Sequence, residues 1–311
     1  MPSARPIEIP PSRTAPAPAC MAGIEGASEG AEEGREEAEE AGGGGVLSLS
    51  PAMADCLREA ADIAVMPRFR RLAAGDIEDK APGEPVTPAD REAERLIAAR
   101  LSRLRPAARF VGEEACARDP ALLRDLARGE AWIVDPIDGT ANYAAGRPPF
   151  ALMAALLREG ETVAASILDP LSGEAINAER GRGAWVSGER IGAGGKRRAL
   201  ASCTGIVSGL ERPAVMEARI ARLGQRVRAL VPTRRCAGAE YPAVACGRVD
   251  FALYWRTLAW DHAPGALIVR EAGGVVARLD GTPFRPADPG GGVLVARSRA
   301  IWDQVAAMLG E

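Results

Sequence analysis

Residues 132–140 read WIVDPIDGT, and this short stretch decides how the rest of the chain is interpreted. An apolar run typical of a buried strand ends at Asp135, a proline then imposes a turn, and Asp138 follows. Two carboxylates on a rigid bend suit a hard divalent cation, which prefers oxygen ligands. Gly139 and Thr140 come next and could present backbone N–H groups and a hydroxyl to an anion. We interpret the stretch as the centre of a magnesium-assisted phosphoryl hydrolase.

The composition is that of a globular protein and excludes several kinds of site. The 311 residues, 47% hydrophobic and 26% charged, are enough to bury a substantial core. No apolar run approaches the roughly 20 residues that span a bilayer, and the N-terminus lacks the pattern of a secretory signal. The six cysteines show no CxxC spacing, and the single histidine, His262, argues against a zinc site or a Ser-His-Asp triad. We therefore predict a cytoplasmic protein without a membrane span.

The N-terminal region differs in composition from the rest of the chain. Residues 1–45 hold nine Glu and three Arg, a net charge of −6, so the remaining body carries +3 of the total of −3. That mild positive charge suits a small anionic substrate and is too weak to predict nucleic-acid binding. The Pro-rich and Glu/Gly-rich composition predicts a disordered tail over residues 1–48. The alternatives are that translation begins at Met53, or that the acidic tail has a function of its own.

From residue 49 onward the pattern predicts a folded domain with an N-terminal half over 49–190 and a C-terminal half over 191–311. Thr87 is predicted as the N-cap of a helix with Asp90 at its third position. Further helices are predicted near residues 51–67, 120–128, 213–223, 239–246, 261–271 and 298–309, and strands near 109–111, 132–134, 150–157, 162–168, 173–179, 183–187, 203–207, 251–254, 275–279 and 292–296. Helices alternating with mostly antiparallel strands indicate a layered α/β sandwich rather than a doubly wound parallel sheet.

Acidic residues stand at four places where a strand ends or a helix begins. They are Asp90, the Glu113-Glu114 pair, Asp135 with Asp138, and Asp261. Taken alone, Asp90 and Asp261 could be ordinary helix-capping residues, and the two glutamates could be a solvated loop pair. The aspartates that follow the buried strand are harder to explain in this way, because burying carboxylates is costly unless a cation pairs with them.

Together these motifs resemble the inositol monophosphatase family of magnesium-dependent, lithium-sensitive phosphatases. The matching motifs are Gly112-Glu113-Glu114, residues 132–140, Asn142-Tyr143, residues 179–184, Trp260-Asp261 and residues 271–274. Their order and spacing agree with the family, and the resemblance covers about residues 53–309. It implies the layered αβαβα sandwich of the inositol monophosphatase and sugar phosphatase type.

The resemblance also implies roles for individual residues. The ligands of two or three Mg²⁺ ions would be Glu113, Asp135, Asp138, Asp261 and the backbone carbonyl of Ile137. These metals would polarise the phosphate and lower the pKa of a bound water. Thr140 and Glu113 would activate or orient that water, and Asp90 would act on the Thr140 hydroxyl. The substrate would contact Asp138, Asp261 and the backbone amides of Gly139 and Thr140.

Two segments depart from the family pattern on the wall that would face the alcohol part of the substrate. Tyr254 stands seven residues before Asp261, where inositol-specific members place a Glu, and residues 235–239 (RCAGA) replace the usual Gly-Ser/Thr-Ala-Ala loop. Tyr254 could stack on a base or ring and Arg235 could meet a second phosphate, or both could serve packing. Lys80 sits where the family often has a lysine in a mobile metal-binding loop; the alternative is a solvent-exposed lysine.

The leading prediction is a cytoplasmic Mg²⁺-dependent phosphomonoesterase acting on a small phosphorylated alcohol, such as an inositol phosphate or a sugar phosphate. One alternative keeps this chemistry on a 3′(2′),5′-bisphosphate nucleotide or histidinol phosphate. An alternative of another class is a regulatory binding protein on the same fold, since some relatives associate with RNA-processing or transcription machinery. The complete acidic set weighs against a binder that lacks catalysis. The resemblance further implies a homodimer.

Overall fold

The computed structural model of the chain describes residues 48–81, 83–192, 198–288 and 290–310. The predicted tail lies outside the described residues except for Ser48, so the tail and its alternatives stay predictions. The first described helix begins at Leu49, ahead of Met53. The backbone N–H groups of Leu49 and Ser50 donate to Glu179 Oε1 at 2.5 and 2.8 Å. Residues that precede Met53 therefore take part in the folded structure.

Helices and strands alternate along the described chain. The α-helices are Leu49–Ala60 (α1), Pro88–Leu104 (α2), Glu113–Arg118 (α3), Thr140–Ala144 (α4), Met216–Gly224 (α5), Ala237–Ala245 (α6), Ala259–Glu271 (α7) and Arg299–Gly310 (α8). The strands are Glu78–Ala81 (β1), Glu84–Val86 (β2), Arg109–Gly112 (β3), Glu130–Asp138 (β4), Ala151–Arg158 (β5), Glu161–Leu168 (β6), Ala175–Glu179 (β7), Gly183–Val186 (β8), Glu189–Ile191 (β9), Thr204–Val207 (β10), Ala229–Pro232 (β11), Phe251–Tyr254 (β12), Val275–Arg278 (β13) and Val293–Ala296 (β14). Among the described residues, no helix combines the length and apolar character needed to cross a membrane.

The strands form two large sheets and one short hairpin. The seven-stranded sheet has the order β3-β4-β5-β6-β7-β8-β9, and β3 with β4 is its parallel pair. The five-stranded sheet has the order β11-β10-β12-β14-β13, in which β10 runs parallel to both of its neighbours. Strands β1 and β2 pair only with each other. All described residues belong to one compact unit, and the division into halves at residue 190 stays a prediction.

The seven-stranded sheet buries both of its faces. In β5, Leu152 and Leu156 contact the apolar cluster that includes α1 and α2. Ala151 and Met153, on the opposite face of the strand, contact the cluster that includes α6 and α7. Each fully buried leucine or methionine side chain contributes about 1.5–3 kcal/mol through removal from water. The sheet is therefore held between two helical layers.

The five-stranded sheet repeats this arrangement and completes the layers. In β12, Ala252 and Tyr254 join the cluster of α6 and α7, whereas Phe251 and Leu253 contact the cluster that includes α5 and α8. The order of layers is α1 and α2, the large sheet, α6 and α7, the small sheet, then α5 and α8. The predicted layered αβαβα sandwich is confirmed.

Some elements differ from the sequence prediction. Strands β1, β2, β9 and β11 were not predicted, because each has only three or four residues and lacks an apolar alternation. The helix predicted over residues 120–128 is wrong: the segment forms only a 3₁₀ turn at Pro120–Leu123. The described strand pairs are mostly antiparallel, as predicted, and the three parallel pairs are β3 with β4, β10 with β11 and β10 with β12.

Candidate active site

A β-bulge brings the two aspartates at the end of β4 to the same face of the sheet. Asp135 pairs with Met153 and Asp138 with Ala151 of β5, so three steps along β4 match two steps along β5. Three steps along a regular strand would place the side chains on opposite faces, and the extra residue restores a common face. That face is covered by α6 and α7, because Met153 and Ala151 belong to the same cluster as these helices.

Asp261 reaches this face from the first turn of α7. The alternative in which Asp261 is the N-cap is wrong, because the helix begins at Ala259 with Leu258 in the N-cap position. One carboxylate oxygen from each of Asp135, Asp138 and Asp261 lies within 4.8 Å of the other two. The positive end of the helix dipole favours a carboxylate in this first turn.

The environment of these three carboxylates fits a divalent cation. Asp135 Oδ1 is buried and has no hydrogen-bond partner among the described residues. Burial, followed by the charges of Glu113, Asp138 and Asp261, raises the pKa of Asp135 well above its usual range. Burial is also the first cause of the raised pKa values of Asp138 and Asp261. Asp138 Oδ2 accepts the backbone N–H of Gly238 at 2.5 Å. Buried carboxylate oxygens crowded by like charges are the ligands that Mg²⁺ and Ca²⁺ prefer.

Glu113, the first residue of α3, lines the same cavity and is paired with a lysine. Lys80 Nζ, carried by β1, lies 2.7 Å from Glu113 Oε1 and 2.7 Å from Glu114 Oε1. Burial alone would lower the pKa of Lys80, but the two carboxylates outweigh it and raise the pKa. The alternatives of a solvent-exposed lysine and a solvated glutamate pair are wrong, since the side chains of Lys80 and Glu114 are only 15% and 3% exposed.

Thr140, at the start of α4, places its hydroxyl between two acceptors. Its Oγ1 lies 2.8 Å from the carbonyl oxygen of Ile137 and 3.1 Å from Asp90 Oδ1. The other oxygen of Asp90 accepts hydrogen bonds from the backbone N and the hydroxyl of Thr87, at 2.8 and 2.6 Å. The bond from the Thr87 backbone N–H is one half of the predicted capping box of α2, and the other half is the bond from the Asp90 backbone N–H to the Thr87 side chain. Burial raises the pKa of Asp90 to about 7, although the bonds from Thr87 oppose the shift.

Gly139 makes the turn between β4 and α4. Its φ of +83° lies in the left-handed region, and a Cβ there would come within 2.9 Å of the carbonyl oxygen of Pro149. A side chain at this position would meet both strain and a backbone clash. The turn that links Asp138 to Thr140 therefore requires glycine.

One cavity collects the predicted site residues except Asp90. The predicted residues that line it are Glu113, Asp135, Ile137, Asp138, Gly139, Thr140 and Asp261. Lys80, Arg235 and Tyr254 line it as well. Asp90 is almost fully buried and lies behind Thr140, so it can act on the cavity only through the Thr140 hydroxyl.

Sequence reasoning missed Glu240, a buried carboxylate of α6 that also lines the cavity. Its Oε2 accepts the Tyr254 hydroxyl at 2.7 Å, and its Oε1 accepts the Thr233 hydroxyl at 2.7 Å and the backbone N–H of Arg234 at 2.5 Å. The Tyr254 ring stacks on Tyr241 with centroids 5.6 Å apart, which favours the packing alternative for Tyr254. A single acid in the otherwise apolar helix AGAEYPAVA was the signal that could have found Glu240.

His262 lines the cavity, and both of its ring nitrogens are engaged. Nδ1 lies 2.8 Å from the Tyr241 hydroxyl, and Nε2 lies 3.0 Å from the carbonyl oxygen of Arg256. Burial lowers the pKa of His262 to about 4, so the ring is neutral near pH 7. A neutral ring can donate only from one nitrogen, so Nε2–H donates to the carbonyl and Nδ1 accepts from Tyr241.

Comparisons with known proteins assign this fold and its acidic cavity to a family of phosphatases. The chain belongs to the inositol monophosphatase family, whose family model matches residues 52–309. Inositol-1-monophosphatase from Mesorhizobium japonicum is 36% identical over 214 residues, which cover 65% of this chain and 75% of that protein. Nus factor SuhB from Pseudomonas aeruginosa is 33% identical over 225 residues, which cover 69% of this chain and 79% of that protein. The native crystal structure of the extragenic suppressor protein suhB from Bartonella henselae matches with a TM-score of 0.72 and 28% identity, covering 84% of this chain and 98% of that one.

Proposed function

We propose that the protein is a Mg²⁺-dependent phosphomonoesterase that hydrolyses a small phosphorylated alcohol, such as an inositol phosphate or a sugar phosphate. The observation that carries the proposal is the group of three carboxylates within 4.8 Å of one another, with Asp135 Oδ1 buried and unpartnered among the described residues. Such a group is costly to bury unless a cation completes it. Membership of the inositol monophosphatase family supports the phosphate monoester as substrate.

Each predicted residue has a task in this proposal. The metal ligands would be Asp135, Asp138, Asp261, Glu113 and the carbonyl oxygen of Ile137. A bound divalent cation supplies Lewis-acid polarisation of the phosphate and makes a water more acidic. Thr140 orients the attacking water together with Glu113, and Asp90 fixes the direction of the Thr140 hydroxyl. The Gly139 turn, with Asp138 and Asp261, holds the substrate.

Removal of divalent metal tests the proposal. Protein stripped with EDTA is expected to release no inorganic phosphate from inositol 1-phosphate, glucose 1-phosphate or glycerol 2-phosphate, and activity should return with added Mg²⁺. Lithium in the millimolar range should inhibit the restored activity. Phosphate release that is equal in EDTA and in Mg²⁺ would contradict a metal-dependent reaction.

Replacing Thr140 with alanine is expected to lower kcat about 100-fold or more, because a positioned proton-transfer group contributes on that scale. The variant loses the hydroxyl that lies 3.1 Å from Asp90 Oδ1. A Thr140→Ser variant keeps the hydroxyl and should retain most of the activity. Steady-state phosphate release measures both variants, and thermal melting checks that both are folded. An equal loss of kcat in the alanine and serine variants would show that the Thr140 hydroxyl has no catalytic role.

Two alternatives remain distinguishable by the same assays. If a 3′(2′),5′-bisphosphate nucleotide or histidinol phosphate gives the highest kcat/KM, the proposed metal-dependent reaction is kept and only the proposed substrate is replaced. A regulatory binding protein would release no phosphate from any compound; the relative from Pseudomonas aeruginosa is named as a Nus factor. The intact acidic cluster favours the enzyme, because binding alone would not require it. The cytoplasmic location and the homodimer also belong to our proposal, on the strength of the family resemblance.

A further inference from the structure

The backbone of Arg235 adopts a conformation that normally belongs to glycine. Its φ is +57°, in the left-handed region, where a side chain costs about 1 kcal/mol or more. Glycine would adopt the same φ at no cost. An arginine in this position is therefore less favourable for folding than glycine would be.

The neighbouring residues hold Arg235 in this conformation. The Thr233 hydroxyl oxygen accepts the backbone N–H of Arg235 at 2.9 Å, while the same hydroxyl donates to Glu240 at 2.7 Å. Glu240 also accepts the backbone N–H of Arg234, and Asn142 Nδ2 donates to the Arg234 carbonyl at 3.0 Å. The segment is thus fixed from both α6 and α4, and the position of Arg235 in the cavity wall is set before any ligand binds.

Arg235 differs from the other cationic side chains of the cavity in its pairing with carboxylates. Among the described residues, Lys80 is paired with Glu113, and Arg256 is paired with Glu84 at 2.5 Å. No carboxylate among the residues that the structure describes is paired with Arg235. Its Nη2 donates to the carbonyl oxygen of Gly83 at 3.2 Å. A guanidinium group has five N–H donors, so most of them are still available to a ligand.

The backbone of Arg235 lies directly against the turn that would hold the scissile phosphate. A Cβ placed on Gly139 would be 3.3 Å from the carbonyl oxygen of Arg235. Arg235 and the acidic cluster line one cavity, so a single small molecule can reach both. Since the cluster and Thr140 serve the scissile phosphate, the arginine is left for another part of the substrate.

We propose that Arg235 is a specificity-determining residue that binds a second anionic group, a phosphate or a carboxylate, on the alcohol part of the substrate. The proposal rests on the proposed phosphatase function. Arginine suits this task because its planar donors match the oxygens of phosphate and carboxylate in pairs. The substrate class is therefore a small phosphate monoester that carries a second anionic group, either a phosphate or a carboxylate.

The test compares matched compounds with and without the second anion. Glucose 1-phosphate is paired with glucose 1,6-bisphosphate, and glycerol 2-phosphate with 2-phosphoglycerate, so that the two pairs separate phosphate from carboxylate. In the wild-type protein, the compound with the second anionic group should have the lower KM in at least one pair. An Arg235→Gly variant keeps φ at +57° without strain and should raise that KM about 10-fold or more, the scale of a lost charged hydrogen bond, with the other KM unchanged within about 2-fold.

The control is Arg70→Gly, which makes the same substitution at φ +60° outside the cavity, where the Arg70 side chain likewise donates to a backbone carbonyl. This variant should leave all four KM values unchanged. Calorimetric titration with the same compounds gives their dissociation constants for wild type and Arg235→Gly, and so measures the effect of Arg235 on binding even without turnover. Equal effects of Arg235→Gly on both members of each pair, or none on either, would overturn the proposal. Absence of phosphate release from all four compounds would instead count against the phosphatase function.

Discussion

Replacing Asp135 with asparagine is expected to lower phosphate release by about 1,000-fold, because metal coordination supplies several kcal/mol of transition-state stabilisation. Asp135 is more deeply buried than Asp138, at 2% against 8% exposed, and its Oδ1 is unpartnered among the described residues. The variant keeps the shape of the side chain and removes one negative charge. Initial rates of phosphate release at saturating Mg²⁺ measure the effect.

Thermal melting separates this effect from misfolding. Mg²⁺ should raise the Tm of the wild-type protein, because a ligand that binds only the folded state stabilises it. The Asp135→Asn variant should melt at the same or a higher temperature than the metal-free wild type, since one of several crowded charges is gone, and should respond little to Mg²⁺. Asp303→Asn, on the exposed side of α8, is the control and should behave as wild type. Equal activity of Asp135→Asn and wild type would show that the acidic cluster holds no catalytic metal.

Replacing Gly265 with alanine is expected to destabilise the protein by about 1–3 kcal/mol and to lower its Tm by about 3–10 °C. Gly265 lies in α7, where a Cβ would come within 2.2 Å of Tyr241 Cγ on α6. The Tyr241 ring cannot move freely, because it is fully buried, stacks on Tyr254 and bonds to His262. The two helices would have to separate, which would also disturb the wall of the cavity.

Gly310→Ala is the matched control, because Gly310 is the last residue of α8 and a Cβ there meets nothing within 4 Å. In an open helical position alanine is favoured over glycine by up to about 1 kcal/mol. The control should therefore melt at the wild-type temperature or slightly above. Chemical denaturation of both variants gives the free energies of unfolding. A Gly265→Ala protein as stable as Gly310→Ala would mean that the contact between α6 and α7 is looser than the distances indicate.

Much of the fold was predictable because its signals are local. The capping box of Thr87 and Asp90 marks the start of α2, and the apolar run that ends at Asp135 marks β4. The elements that escaped prediction are those that derive order from neighbours. Strand β11 is a half-exposed edge that pairs in parallel with β10, and β1 exists only as the partner of β2. Their sequences carry no periodicity of their own.

The candidate site was also predictable only in part. Asp135, Asp138, Glu113 and Asp261 were chosen from motifs, and the structure places all four in the wall of one cavity. Glu240 was not chosen, because its local signal, a single acid in an otherwise apolar helix, does not say which site it belongs to. Its place in the site is seen only in the structure, where Glu240 of α6 accepts the hydroxyl of Tyr254 from β12.

The sequence by itself determined the layered α/β class and the set of acids, because a strand, a proline bend and a Gly-Thr turn are each written in consecutive residues. Only the tertiary structure decided that Asp135 and Asp138 face the same way, since the β-bulge that aligns them depends on pairing with β5. It likewise decided that Lys80 is paired with Glu113, whereas Arg235 has no carboxylate partner among the described residues. Charge balance in a cavity is a property of residues distant in the chain, and folding alone brings them together.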